Sequence, residues 1–216
     1  MLVLFVSGFV SADVLAQVTV PKKWNPKSGM LFSGSPRQLK NFESATDFEL
    51  TLHPRGKNVP RLIVDSEFIL KDGVLQSGTG NGALLKVAEG KDITLTFDID
   101  FQGAGGWCLL WGMKGGTGHG FWNHQLRVSG AHNCLISSVD GELKQPINLD
   151  TPYEFKGPTR VGLSIQEDGQ VTLASGSKTI FSESYDLPDD GDVLIGTWSN
   201  QYGPRPIKIH RIHLKN

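Results

Sequence analysis

From about residue 67 onward, apolar side chains recur at every second position. Ile93, Leu95, Phe97, Ile99 and Phe101 alternate with Thr94, Thr96, Asp98 and Asp100, which predicts a strand with one buried and one wetted face. Val161, Leu163 and Ile165 repeat the pattern, and Asp168-Gly169 then turns the chain into Val171 and Leu173, a hairpin signal. Asp72-Gly73, Asp140-Gly141 and Asp190-Gly191 mark further turns. Strands are expected at 67–70, 74–77, 83–87, 92–101, 106–113, 121–129, 133–139, 160–166, 170–175, 178–183, 192–199 and 206–215. In the last of these the apolar parity slips between Ile209 and Ile212, which predicts a β-bulge near His210. No stretch holds a 3.6-residue apolar period for three turns, and no internal repeat is present. A dozen antiparallel strands without helices need two packed sheets or a barrel, and two sheets of about six strands suit this length. The expected class is all-β, a two-sheet antiparallel sandwich forming one domain.

Composition agrees and narrows the classes. Hydrophobic residues are 38% of the 216, and the 26 glycines and 11 prolines are spread without a collagen period. Disorder, collagen and a coiled coil are excluded. Lys+Arg number 21 against 22 Asp+Glu, a balance that argues against a general nucleic-acid surface or a polybasic membrane patch. Prolines at 21, 26, 36, 54 and 60 make 17–60 an irregular segment packed on a sandwich of 61–216, with Trp24-Asn25-Pro26 as a terminal staple. The opening MLVLFVSGFVSADVLA is apolar, ends in Val14-Leu15-Ala16, and reads as a signal peptide cleaved before Gln17. Sixteen residues interrupted by Gly and Asp fall short of the ~20 that span a bilayer. The mature chain is therefore expected outside the cytoplasm and off the membrane. Export permits a disulfide between Cys108 and Cys134; buried thiols are the equally good reading of WCLLW and NCLIS. There is no CxxC spacing.

Candidate chemistry concentrates in Gly103–His132, which holds Trp107, Trp111, Trp122, His119, His124, His132 and Arg127. Sugar recognition uses flat aromatic faces for the C–H surface of the ring and amides or Arg for its hydroxyls. In Phe121–Val128 one face carries Phe121, Asn123, Gln125 and Arg127 and reads as a polar concave face. The other carries Trp122, His124, Leu126 and Val128 and reads as core. Asn123, Gln125 and Arg127 are thus ligand-binding candidates. Trp111 is a further candidate, although its grouping with Trp107 and Leu109 on one face reads more readily as core. Lys114–Gly120 reads as a glycine-rich loop that offers His119 as a base or ligand; no phosphate-loop Gly-Lys-Ser/Thr follows. Trp198–Pro204, with Trp198 and Tyr202, is a polar aromatic loop that reads equally as a second wall to the groove and as a tight turn with Tyr202 packed on the rim. His210 and His213 point to opposite faces of a strand, and no Asp/Glu/His grouping has metal spacing. No cofactor is expected.

Taken in order, Leu31-Phe32-Ser33-Gly34, Phe68–Leu75, the Ile93–Phe101 strand, the glycine-rich segment, Phe121–Val128, and Gly191–Gly196 leading to Ile207–Leu214 form a pattern. It resembles the concanavalin A-like lectin/glucanase jelly rolls, and among them the secreted bacterial domains linked to 3-keto-glycoside hydrolysis. The resemblance implies a jelly roll, a glycan as partner, and in some relatives a structural calcium held by loop carbonyls. It also directs attention to Asp98, Asp100 and His119 as catalytic candidates. The laminarinase-type Glu-x-Asp-x-x-Glu pattern is missing. Asp98 and Asp100, at i and i+2, would stand about 6–7 Å apart on one face. A solvated polar face is the favoured reading of that pair. Three functions follow in order: a non-catalytic carbohydrate-binding sandwich, a glycoside-active hydrolase, and an adhesion or protein-interaction module.

Overall fold

The computed structural model describes residues 29–44, 49–52, 61–78, 82–101, 106–126, 130–144, 146–149, 158–198 and 206–216. The expected signal peptide, Trp24, Arg127 and Tyr202 lie outside them. In chain order the strands are Gly29–Phe32 (β1), Glu43–Ser44 (β2), Glu49–Leu52 (β3), Arg61–Ile63 (β4), Phe68–Lys71 (β5), Val74–Ser77 (β6), Gly82–Glu89 (β7), Ile93–Phe101 (β8) and Trp107–Lys114 (β9). They continue with Thr117–Leu126 (β10), Gly130–Val139 (β11), Glu142–Leu143 (β12), Ile147–Asn148 (β13), Thr159–Ile165 (β14), Gln170–Ser175 (β15), Lys178–Ser184 (β16), Asp192–Trp198 (β17) and Ile207–Lys215 (β18). One short 3-10 turn, Pro36–Asn41, stands among them. Three of the strands, β1 to β3, fall within the segment read from its prolines as irregular.

Two sheets result. The eight-stranded sheet runs β16-β15-β14-β8-β18-β6-β5, with β1 also paired to β18. The ten-stranded sheet runs β2-β7-β17-β9-β10-β11-β12-β3-β4, with β13 on β11. Pairing is antiparallel except between β12 and β3. The all-β, two-sheet antiparallel sandwich is thus as expected. Turn chemistry sets the hairpins: Asp72 (φ 51°) and Gly73 (φ 75°) join β5 to β6, and Asp140 (φ 53°) and Gly141 (φ 82°) join β11 to β12, both with the paired positive φ of a type I′ turn. The slip in β18 is present as a register shift between Ile209 and Arg211 against β8, so His210 is the extra residue.

Between the sheets, Leu95, Phe97 and Ile99 of β8 meet Trp107, Leu109 and Trp111 of β9 and Phe121 of β10, all buried. The ten-stranded sheet is apolar on its other face as well. There Leu84, Cys108, Leu110, Ile136 and Leu194 form a second buried cluster with Val64, Met113 and Leu143, against which Trp122 packs. Strands buried on both faces read as continuous apolar runs, which is why WCLLWGM shows no alternation.

Cys108 and Cys134 both lie in register with Trp122, one on each neighbouring strand. Two inter-strand spacings put their Cα atoms roughly 9–10 Å apart, beyond the ~7 Å a disulfide bridges. Both are free thiols. Cys134 Sγ donates to Asn148 Oδ1 at 3.0 Å, and burial pushes the Cys108 thiol up to about 12. Reducing agent is therefore expected to leave the melting temperature unchanged. Cys108 should resist alkylation at pH 8 until the chain is unfolded, as mass spectrometry after iodoacetamide treatment would read.

Candidate functional site

The turn between β9 and β10 is tight: Gly115 (φ 57°) and Gly116 (φ 81°) occupy it, and Thr117–Gly120 is already strand. His119 therefore sits on a strand, not on the loop that its glycine neighbours suggested. Just before the turn, β9 carries one residue too many for both neighbours. Three steps from Trp111 to Lys114 face two from His119 to Thr117, and three from Leu110 to Met113 face two from Leu194 to Asp192. The bulge centres on Gly112 (φ 60°), a left-handed position that suits glycine. It leaves Trp111 in the inter-sheet core and turns Met113 to the outer cluster. A Cβ on Gly112 would lie 2.8 Å from Leu187 Cδ2, and one on Gly191 would lie 2.6 Å from Gly112 Cα. These two glycines let the connection from β16 to β17 lie directly on the bulge.

That approach encloses a pocket of about 410 Å³, within the range of small-molecule sites. Lys114, Thr117, Gly118 and His119 line one side; Asp186, Leu187 and Pro188 line the other. Behind it runs a file of aromatic rings. Phe121 stacks on Phe181 (6.3 Å between centroids), Phe181 on Trp111 (5.6 Å), Trp111 meets Tyr185 edge-on (5.7 Å), and Tyr185 lies against His119 (4.5 Å, 47°). The first three rings are buried, whereas Tyr185 and His119 are only partly covered and form the exposed end of the file.

Charge in the pocket is arranged by position. Lys114 Nζ donates to both carboxylate oxygens of Asp190 at 2.7 Å, holding Asp190 below the usual carboxylate range, and Lys91 pairs with Asp189 at 2.7 Å. Asp186 forms no ion pair among the described residues. The Tyr185 hydroxyl donates to Glu183 Oε2 at 3.2 Å; burial and that carboxylate push the phenol up. Burial lowers the pKa of His119, so its imidazole stays neutral at neutral pH. The unfolded chain then takes up a proton below about pH 6.5 more readily than the folded one. The stability contributed by His119 is complete above that value and is lost as pH falls through its lower folded pKa. Melting temperature should accordingly fall between pH 7.5 and 5 by more in the parent than in His119→Gln, compared by calorimetry.

The other candidates are dispersed. Asp98 and Asp100 share the outer face of the eight-stranded sheet, away from Phe97 and Ile99. Asp98 accepts a bidentate pair from Arg160 (2.7 and 2.9 Å), which holds its carboxyl low, and Asp100 stands in register with Lys208. His119 belongs to the other sheet, so the three catalytic candidates do not converge. Trp111 and Asn123 are completely buried. Asn123 donates to Asn133 Oδ1 at 2.8 Å inside the sandwich. The two faces of this strand are exchanged relative to expectation: Phe121 and Asn123 point inward, and Trp122 points to the outer cluster. Gln125 lies on β10 in register with Ala131, and Trp198 ends β17 opposite Gly82. Of the sequence candidates among the described residues, only His119 lines the pocket. Lys114, Thr117, Tyr185 and Asp186 were missed; the signal for the last two was Tyr185-Asp186-Leu187-Pro188, a polar aromatic stop between two strand runs.

Neither a protein-family model nor a curated protein matches the chain. Solved structures do. The carbohydrate-binding module CBM66 from Bacillus subtilis superposes with a TM-score of 0.51 at 11% identity, covering 66% of this chain and 86% of that one. A prokaryotic β-1,3-1,4-glucanase (lichenase) from a mouse hindgut metagenome gives 0.53 at 10% identity, covering 81% and 92%. A β-1,3-glucanase from Mycobacterium marinum gives 0.51 at 12% identity, covering 85% and 94%. The fold is the concanavalin A-like jelly roll. At these identities the likeness is one of fold; function has to be argued from the site. Within this jelly roll the pocket lies beside the β9–β10 turn, where the β16–β17 connection crosses from one sheet to the other. Among the described residues no helix is long and apolar enough to cross a membrane.

Proposed function

We propose that this jelly roll is an exported carbohydrate-binding sandwich that seats a glycan in the pocket between the β9–β10 turn and residues 186–188. The observation that carries the reading is the exposed end of the aromatic file. His119 lines the pocket with its ring held against Tyr185, beside the Thr117 hydroxyl and the Asp186 carboxylate. Ring faces take the C–H side of a sugar, while hydroxyl and carboxylate groups exchange hydrogen bonds with its hydroxyls. The neighbours in fold, a carbohydrate-binding module and two glucanases by name, support a glycan as the ligand class.

The test is a screen of the purified chain against neutral polysaccharides and 3-keto-disaccharides, reading binding and product release together. Saturable binding is expected. His119→Ala and Tyr185→Ala should each weaken it about tenfold, close to 1.4 kcal/mol, with His119→Ala retaining the parent fold by circular dichroism. Equal affinity of both variants and parent would remove the pocket. A second reading, a glycoside-active enzyme, rests on the neutral imidazole of His119 and the carboxylate of Asp186, without an ion pair among the described residues, in one pocket. Under it, product is released and Asp186→Asn abolishes release while retaining binding.

A further inference from the structure

The bulge in β18 has an electrostatic result. Ile207 and Ile209 before it, and Ile212 and Leu214 after it, all point into the core. Without an extra residue the second pair would share the face of Lys208, because strand side chains alternate strictly. The insertion at His210 reverses the parity, and Lys208, Arg211, His213 and Lys215 emerge on the outer face of the eight-stranded sheet. Beyond the bulge they follow one another at roughly 6.5–7 Å.

Few carboxylates answer them. On this face stand Asp98, clamped by Arg160, and Asp100. Among the described residues Lys208, Arg211 and Lys215 form no ion pair. The chain as a whole is formally −1, so this is a local segregation of charge. Beside the row the face is a carpet of hydroxyl and amide groups: Thr94 and Thr96 on β8, Ser164 on β14, Thr172 and Gln170 on β15, Ser182 on β16. Thr172 and Ser182 are 2.7 Å apart, and Gln170 Nε2 donates to Ser182 Oγ at 2.9 Å.

We propose that this face docks an anionic polysaccharide, carboxylated or sulfated, with its charges along β18 and its hydroxyls over the Ser/Thr/Gln carpet. Cations at strand spacing meet a regularly charged chain, and the neutral polar groups exchange hydrogen bonds with sugar hydroxyls. A single-stranded nucleic acid would need a run of aromatic rings on which to stack successive bases, and the described part of this face carries no Phe, Tyr or Trp. A lipid surface would need apolar groups to insert, and among the described residues only Met30 and Ile69 are exposed large apolar side chains on this sheet. The site is distinct from the His119 pocket, so either proposal can fail alone.

The experiment is isothermal titration of the full chain with polygalacturonate, dextran sulfate and neutral dextran at about 50 and about 500 mM NaCl. Both anionic polymers should bind with an affinity that falls about tenfold or more at the higher salt, as screening of exposed charges requires, whereas any binding of neutral dextran should be indifferent to salt. Arg211→Glu/Lys215→Glu should abolish binding, Arg211→Lys should retain it, and Lys144→Glu, beside β12 of the other sheet, should match the parent. If the charge-reversed chain fails to fold, Lys208→Gln/Lys215→Gln, which should weaken binding severalfold, takes its place. The proposal is overturned if these variants bind the anionic polymers as the parent does, or if binding of the anionic polymers does not weaken at the higher salt. Tighter binding of duplex DNA or of phosphatidylserine vesicles than of polygalacturonate overturns it too.

Discussion

Trp111→Ala should melt about 10 °C or more below the parent, the larger of the two single-residue effects that act through the core. Trp111 is completely buried, stacks on Phe181 and meets Tyr185 edge-on, so truncation removes contacts on two sides and leaves a cavity between the sheets. Such truncations cost about 3–5 kcal/mol, and each kcal/mol shifts melting by roughly 2–4 °C in a chain of this size. The aromatic file adds a second consequence. Tyr185 loses the ring that props it against His119, so glycan affinity should fall together with stability. Trp111→Phe keeps a ring in place and should recover about half of the lost stability. A variant that melts with the parent yet no longer binds sugar would make Trp111 a platform for ligand, contrary to its place in the core.

Gly196→Ala should cost about 3 kcal/mol or more, a large effect for one methyl group. Gly196 lies in β17, an interior strand of the ten-stranded sheet paired to β7 on one side and β9 on the other. An added Cβ would stand 2.1 Å from the Ala83 carbonyl oxygen and 2.4 Å from Leu84 Cδ2. The first is a backbone atom and cannot rotate away, so the ladder itself must move. Gly162→Ala is the matched control. It lies in β14 with only Thr96 Cγ2 nearby, at 3.7 Å, and should change stability by less than about 1 kcal/mol in either direction. Urea midpoints of the three proteins decide the matter: equal midpoints would show that the sheet opens to admit the methyl group.

These glycines also mark where the sequence was hard to read. The alternation of Ile93–Phe101, the Asp-Gly hairpins and the parity slip at His210 were legible because each records a local backbone geometry. The segment after Lys114 was not. Gly118 and Gly120 suggest a loop, but a Cβ at either would meet Met113 Sδ at 2.4 Å or Leu110 Cδ2 at 2.5 Å, so they are glycines of close strand packing. The sidedness of β10 was illegible for a related reason: its sheet is apolar on both faces, so Phe121 and Trp122 are equally acceptable inside. One wall of the pocket comes from Asp186–Pro188, about seventy residues beyond His119 and brought there by the packing of Gly112 on Gly191. No spacing along the chain encodes that contact. The cationic row on β18 was hidden in the same way, because overall charge balance says nothing about which residues share a face.

The position of β18 bears on how the molecule comes together. It lies between β8 and β6, and its partners are more than a hundred residues away in sequence. Until Ile207–Lys215 docks, β14–β16 with β8 form one fragment and β5–β6 another, each with an open edge. Closing so distant a seam makes folding slow, since chain entropy is lost before the contacts that reward it form. During that interval the unpaired edges of β8 and β6 are exposed to strands of other molecules. Refolding yield should therefore depend steeply on protein concentration, and an isolated peptide of residues 207–215 added during refolding should compete for the seam and hold the sheet in two halves.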